Sequence, residues 1–180
     1  MLLDCARLLE NFRGTPLEKT CELLNQFDLY HLLFKQPISV ALNPGPLMSS
    51  APEDYKKWSK LCAGGSLQVC ELLGERGVDT TTGLTYEKFD EYEEAGRTAG
   101  LPAEYLVFAV ANFGDYYCFH MPADGSKDDR VYQWGLDEGE FVLYWDSFSD
   151  WLSEQVDSWV EMIADDELDP IGFKLEGEDG

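Results

Sequence analysis

Histidine and positive charge are both scarce in this sequence. His31 and His120 are the only imidazoles among 180 residues, so a hydrolase that sets a base beside a serine or cysteine nucleophile has few positions to use. No Cys-x-x-Cys pair occurs among Cys5, Cys21, Cys62, Cys70 and Cys118, which removes the ligand spacing of structural zinc. Lysine and arginine number 13 against 35 aspartates and glutamates, a net charge of −22. Phosphate backbones and anionic bilayers attract proteins through Lys and Arg, so direct binding to nucleic acid or to a membrane surface is not expected. No run of 18 apolar residues exists to span a bilayer. The opening MLLDCARLLENFRG carries Asp4, Arg7 and Glu10 within its apolar pattern, unlike the basic start and continuous apolar stretch of a signal peptide. The cysteines are odd in number and lie mostly among apolar neighbours, as buried thiols do, so a cytoplasmic location is expected.

What is present is ample apolar material and a lopsided charge. Hydrophobic residues make up 44% of the chain and aromatic residues 13%, enough for a core without disulfides or metal. Residues 101–180 carry 3 basic and 20 acidic side chains, a net of −17. A basic protein is steered toward such a field. The bland alternative is that the acidity serves solubility alone.

Helical spacing of Leu2, Leu3, Ala6, Leu8, Leu9 and Phe12 predicts a first helix ending at Gly14. Thr15 before Pro16 reads as a cap and first-turn proline for a second helix, with Leu17, Cys21, Leu24, Phe27, His31 and Phe34 on one face as far as Pro37. Residues 37–51 read as a connecting loop. Pro52 to Ala63 is a third helix stopped by Gly64 and Gly65, with Tyr55, Trp58 and Leu61 or Cys62 inward. A strand is expected over Leu67 to Leu73, then turns from Gly74 to Gly83 and a charged helix from Tyr86 to Ala95. Four further strands follow at Tyr105 to Ala111, Asp115 to Met121, Arg130 to Trp134 and Glu140 to Trp145. Their links, Asn112-Phe113-Gly114, Pro122 to Asp129 and Gly135 to Gly139, are short enough for an antiparallel meander. Ser147 is placed to cap a last helix whose buried stripe is Phe148, Trp151, Leu152, Val156, Trp159, Val160 and Ile163. Trp134, Trp151 and Trp159 should be buried, packing that helix on the sheet.

Sites for chemistry are sparse. Cys118 and His120 alternate on one strand face and could form a dyad or half a metal site, but two ligands do not make a zinc centre. Asp124 to Asp129 has the carboxylates but not the spacing of a calcium loop, lacking its central glycine position and terminal bidentate glutamate. No catalytic residue, metal or cofactor is therefore expected, and the chain reads as a non-enzyme. Partner-binding candidates are Asp115, Asp128, Asp129, Asp137, Glu138 and Glu140, in turns between strands where binding loops commonly lie. Asp115 has a structural alternative, holding its own tight turn.

Several of these segments, in order, resemble the SMI1/KNR4 (SUKH) family. PEDYKKWSKLCAGG at Pro52 to Gly65 is similar to its opening helix and glycine pair. LPAEYLVFAVANFGDYYCFH, from Leu101 to His120, is similar to its central segment, with Gly114 and Asp115 as the Gly-Asp motif. VYQW at Val131 and SFSDWL at Ser147 resemble the later strand and the start of the last helix. The resemblance runs from about Pro52 to Trp159. It implies an α+β fold with a central, mainly antiparallel sheet flanked by helices. It divides the chain into leading helices over 1–36 that match the family poorly, a connection over 37–51, a family-like domain over 52–164 and an acidic tail over 165–180. It also implies a function: an immunity protein neutralising a basic, nuclease-type toxin of a polymorphic or contact-dependent system or, alternatively, an intracellular scaffold or regulatory adaptor.

Overall fold

A computed structural model describes residues 5–29, 33–35, 51–67, 70–72, 101–102, 104–111 and 113–165. Among them the elements in chain order are α1 (Cys5–Phe12), α2 (Glu18–Gln26), β1 (Leu33–Lys35), α3 (Glu53–Ser59), β2 (Cys62–Ser66), β3 (Cys70–Leu72), β4 (Tyr105–Ala111), β5 (Tyr116–His120), β6 (Val131–Gly135), β7 (Glu140–Trp145) and α4 (Phe148–Ala164). The expected loop over 37–51 lies outside the described residues save Ala51, as do the turns and charged helix expected between Gly74 and Ala95 and, from 166 onward, the acidic tail.

The strands form one sheet in sequence order, β1 to β7, every adjacent pair antiparallel. The predicted meander is β4 to β7, and the fold is α+β as expected. Its other side differs from the sequence reading in four places. The second helix ends at Gln26, because Asp28 takes a positive φ of 56° and turns the chain out of the helical path. Phe34 consequently sits in β1, paired with Gly64 of β2, while His31 lies outside the described residues. Thr15 does not cap α2: its hydroxyl donates to the Phe12 carbonyl at 2.7 Å and closes α1 instead. The third helix ends at Ser59, and the glycines expected to stop it are themselves in β2. Of the strand predicted over Leu67 to Leu73, Cys70–Leu72 is extended and Leu67 is not, its N–H bonding the Cys70 carbonyl across the β2–β3 turn, while residues 68, 69 and 73 lie outside the described residues.

One face of the sheet is sealed by helices. Trp151 of α4 is fully buried and meets Phe108 edge-on at 4.9 Å and Tyr117 at 5.1 Å. Phe108 stacks on Phe119 at 4.1 Å. Tyr55 of α3 adds contacts to Phe108, Phe119 and Phe148, and Trp58 bridges Phe12 of α1 to Phe148. Leu8, Phe12, Leu17, Cys21 and Leu24 from the leading helices join the same core cluster as Trp58, Trp151 and Trp159. Phe108 is an extra residue at a register shift in β4, so Phe108 and Ala109 both bury.

The start of α4 is held twice. Ser147 caps it by accepting the Asp150 N–H at 3.0 Å. Asp54, from the first turn of α3, accepts the Ser149 N–H at 2.7 Å and its hydroxyl at 2.8 Å, 95 residues away in sequence. Between them they satisfy two of the donors that a helix start leaves open. Ser147→Ala should lower stability by about 1 kcal/mol in a denaturant titration, a loss limited because the Asp54 bonds survive.

Candidate protein-binding surface

The second face of the sheet carries an aromatic layer. Tyr105 stacks on His120 at 4.7 Å and packs on Phe141 at 4.4 Å, and Tyr132 meets Tyr105, Phe141 and Tyr144. Trp134 packs edge-on against Phe141 at 4.9 Å. It is buried, as expected, but in this layer rather than under the last helix, where Trp151 and Trp159 lie. Trp134 stands two residues from Tyr132 on β6 and so shares its face, and a register shift supplies its neighbour: Gln133 pairs with Leu143 and Trp134 with Phe141, leaving Val142 as an extra residue in β7. The bulge brings Phe141 and Tyr144, three apart, to one face with Tyr132.

Asp128 organises one end of this face. Its carboxylate accepts from Arg130 Nε at 2.9 Å, Arg130 Nη2 at 3.1 Å, the Arg130 N–H at 3.2 Å and the Tyr132 hydroxyl at 2.8 Å, and lies 3.2 Å from His120 Nδ1. Burial works against its ionisation, yet the donors from Arg130, Tyr132 and His120 outweigh it and hold the carboxyl well below the usual range. Arg130 in turn lies 5.3 Å over the Tyr132 ring and 5.9 Å over Tyr144.

A depressed folded-state pKa contributes stability that is complete above the unfolded value of about 4 and fades as pH falls through the folded one. Asp128→Asn should therefore cost roughly 1–3 kcal/mol at neutral pH, with the gap to the parent closing below about pH 4. Melting points of both proteins from pH 7 to pH 2 check this. A constant gap would mean that the carboxylate charge is not what binds the 122–130 segment.

Asp115 is likewise engaged, accepting from Gln133 Nε2 at 2.7 Å and from the Leu136 N–H at 3.0 Å. It ties the β4–β5 turn to the β6–β7 turn. Gly114, at φ 107°, and Gly139, at φ 66°, supply the left-handed backbone these tight turns require, and a side chain at Gly114 would meet Leu136 at 3.4 Å.

The six acidic candidates therefore fall into two groups at opposite ends of β6, roughly 15 Å apart for a five-residue strand. Asp128 and the exposed Asp129 are at the His120 end. Asp115 and the exposed Asp137, Glu138 and Glu140 are at the other, where Phe113 projects from the neighbouring turn 72% exposed. Asp115 and Asp128 spend their oxygens on the fold, while Asp129, Asp137, Glu138 and Glu140 face solvent. Phe113 was legible only as a turn residue, since nothing in Asn112-Phe113-Gly114 says whether a lone aromatic folds back or stands out. A second acidic strip, Asp150, Glu154, Asp157 and Glu161, runs along α4 beside Trp145, whose Nε1 donates to Glu154 at 2.8 Å. Its four- and three-residue spacing on one helix face was the signal for it.

The paired Cys118 and His120 do not make a reactive site. Cys118 is fully buried, burial pushes its thiol up to about 12, and its Sγ donates to the Tyr132 carbonyl at 3.4 Å. Among the described residues no three His, Cys, Asp or Glu side chains gather as metal ligands, and no helix is long and apolar enough to cross a membrane.

Compared with known families, residues 47–154 match the model of the SMI1 / KNR4 family (SUKH-1). No curated protein matches the chain.

Proposed function

We propose, for a chain that belongs to the SMI1/KNR4 family (SUKH-1), a non-catalytic role as a cytoplasmic immunity protein that neutralises a basic, nuclease-type toxin by covering it. The observation that carries this reading is the end of the meander where exposed Phe113 stands beside exposed Asp137, Glu138 and Glu140. An exposed aromatic side chain on one turn, with exposed carboxylates on the turn tied to it through Asp115, is the make-up of an interface anchor with a charged rim. A nuclease must be basic to hold a polyanion, so its substrate face is complementary to such a surface. Asp115 and Asp128 act as positioning residues, the first bracing the two turns and the second fixing the far end of the sheet, and Asp129 adds to the field. Residues 101–180, net −17, steer the partner in.

The test is genetic. The reading frame immediately upstream of this one should encode a protein with a nuclease-like carboxyl-terminal domain that kills cells when expressed alone and is silent when this chain is co-expressed. A neighbour whose toxicity is unchanged by this chain, or which has none, would transfer the assignment to a scaffold or regulatory adaptor binding some other protein.

A further inference from the structure

Strand β7 ends the sheet, and its outer edge has no strand beside it among the described residues. Edge strands in natural proteins are usually blunted by lysine, proline or an inward-pointing charge. β7, EFVLYW, holds none of these, its single charge being the terminal Glu140; its one irregularity is the bulge at Val142, after which Leu143 to Trp145 pair regularly with β6. Three consecutive side chains along it are open to solvent, Val142 at 44%, Leu143 at 49% and Tyr144 at 59%. Successive side chains of a regularly paired strand point to opposite faces of a sheet, so exposure of both Leu143 and Tyr144, paired with Gln133 and Tyr132, means that β7 is open on both faces. Carboxylates bracket the apolar stretch, with Asp137, Glu138 and Glu140 at one end and exposed Asp146 at the other. Arg130, 5.9 Å over the Tyr144 ring, is tied to Asp128.

We infer that β7 is a strand-addition site, taking an extended segment with apolar residues at its centre and Lys or Arg at both ends. Backbone pairing along the edge supplies the affinity, Val142, Leu143 and Tyr144 supply contacts for alternate side chains, and the bracketing carboxylates select the basic flanks. A second copy of this chain is the wrong occupant. Each copy carries −22. Antiparallel pairing centred on Leu143 sets Glu140 opposite Asp146, and pairing centred on Val142 sets Glu138 opposite Asp146, like charges that repel across a ladder. The inference rests on the protein-binding reading above and adds to it the edge and the chemistry of the segment that docks there.

A random twelve-residue peptide library displayed on phage is the probe, selected against the full chain and against a Val142→Lys, Tyr144→Lys variant. Both replaced side chains are exposed, so the variant should melt within a few degrees of the parent; Leu143→Lys serves as a second variant should it not. The expected result is enrichment of peptides with basic ends and alternating apolar centres that bind the variant at least tenfold more weakly. A bound peptide should also slow hydrogen exchange at the amides of residues 141–144. No enrichment, enriched peptides without basic flanks, or equal binding to parent and variants would each overturn the assignment. Failure here is separable from failure of the proposed function. A lysine variant that still neutralises the toxin in full removes β7 and leaves the immunity reading. Peptides that bind at β7 of a chain that protects no cell do the reverse.

Discussion

Replacing Trp151 with alanine should cost roughly 3–5 kcal/mol, close to the limit of what one core truncation does. The side chain is fully buried and touches Phe108, Tyr117 and Phe148, which come from β4, β5 and the first turn of α4. These partners are aromatic and rigid, so the space left behind cannot close by a simple rotamer change. Trp151→Phe should cost much less. It keeps most of the packing and deletes a buried indole N–H that has no hydrogen-bond partner among the described residues. Urea titrations of the three proteins check both statements. A loss within about 0.5 kcal/mol for the alanine variant would mean that α4 is not the lid of the core.

The second large effect concerns the acidic tip. Reversing Asp137, Glu138 and Glu140 to lysine should slow association with a basic partner by about 10- to 1000-fold at low salt, the range over which electrostatic steering acts. Folding should be almost unaffected, because these carboxylates are exposed and charges in such settings contribute little to stability. Asp115 and Asp128 are left out of the variant on purpose. Their loss would break the turn brace and the Arg130–Tyr132–His120 network, and weakened binding would then be indistinguishable from a damaged fold. Stopped-flow association of parent and variant, with a melting curve for each, separates the two effects.

How far the sequence reveals this molecule depends on the length of its elements. β4 and β7 lie where their runs put them, and α4 begins at its Ser147 cap, because seven, six and seventeen residues are enough to show a pattern. β1 and β3 have three residues each, too few to display any period. Phe34 therefore looked like a continuation of the helical face of Cys21 and Leu24. β2, CAGGS, has the composition of a turn and is extended because it is paired on both sides, with β1 and β3. Tertiary pairing there overrides local preference.

Bulges hide from sequence in the same way. A strict two-residue alternation puts Phe141 with Leu143 and Trp145; the extra residue Val142 moves Phe141 to the other face and gives Trp134 its neighbour. The candidate site was legible in part. The turns and their acidity are plain in the sequence, as is the family resemblance that the match over 47–154 bears out. Which carboxylates are engaged by the fold was not, because the partners of Asp115, Gln133 and Leu136, stand 18 and 21 residues away.

The measurement that bears most directly on charge-steered capture is the association rate constant of the full chain with a nuclease-type partner of the kind proposed, as salt is raised from about 10 mM to 1 M, over which the Debye length falls from roughly 30 to 3 Å. Capture by the acidic surface predicts a steep fall in that rate with salt for the parent and a much shallower one for the Asp137→Lys, Glu138→Lys, Glu140→Lys variant. Equal rates and equal slopes for the two proteins would contradict it, and would mean that the partner docks on another face while the acidity at the tip only keeps the protein in solution.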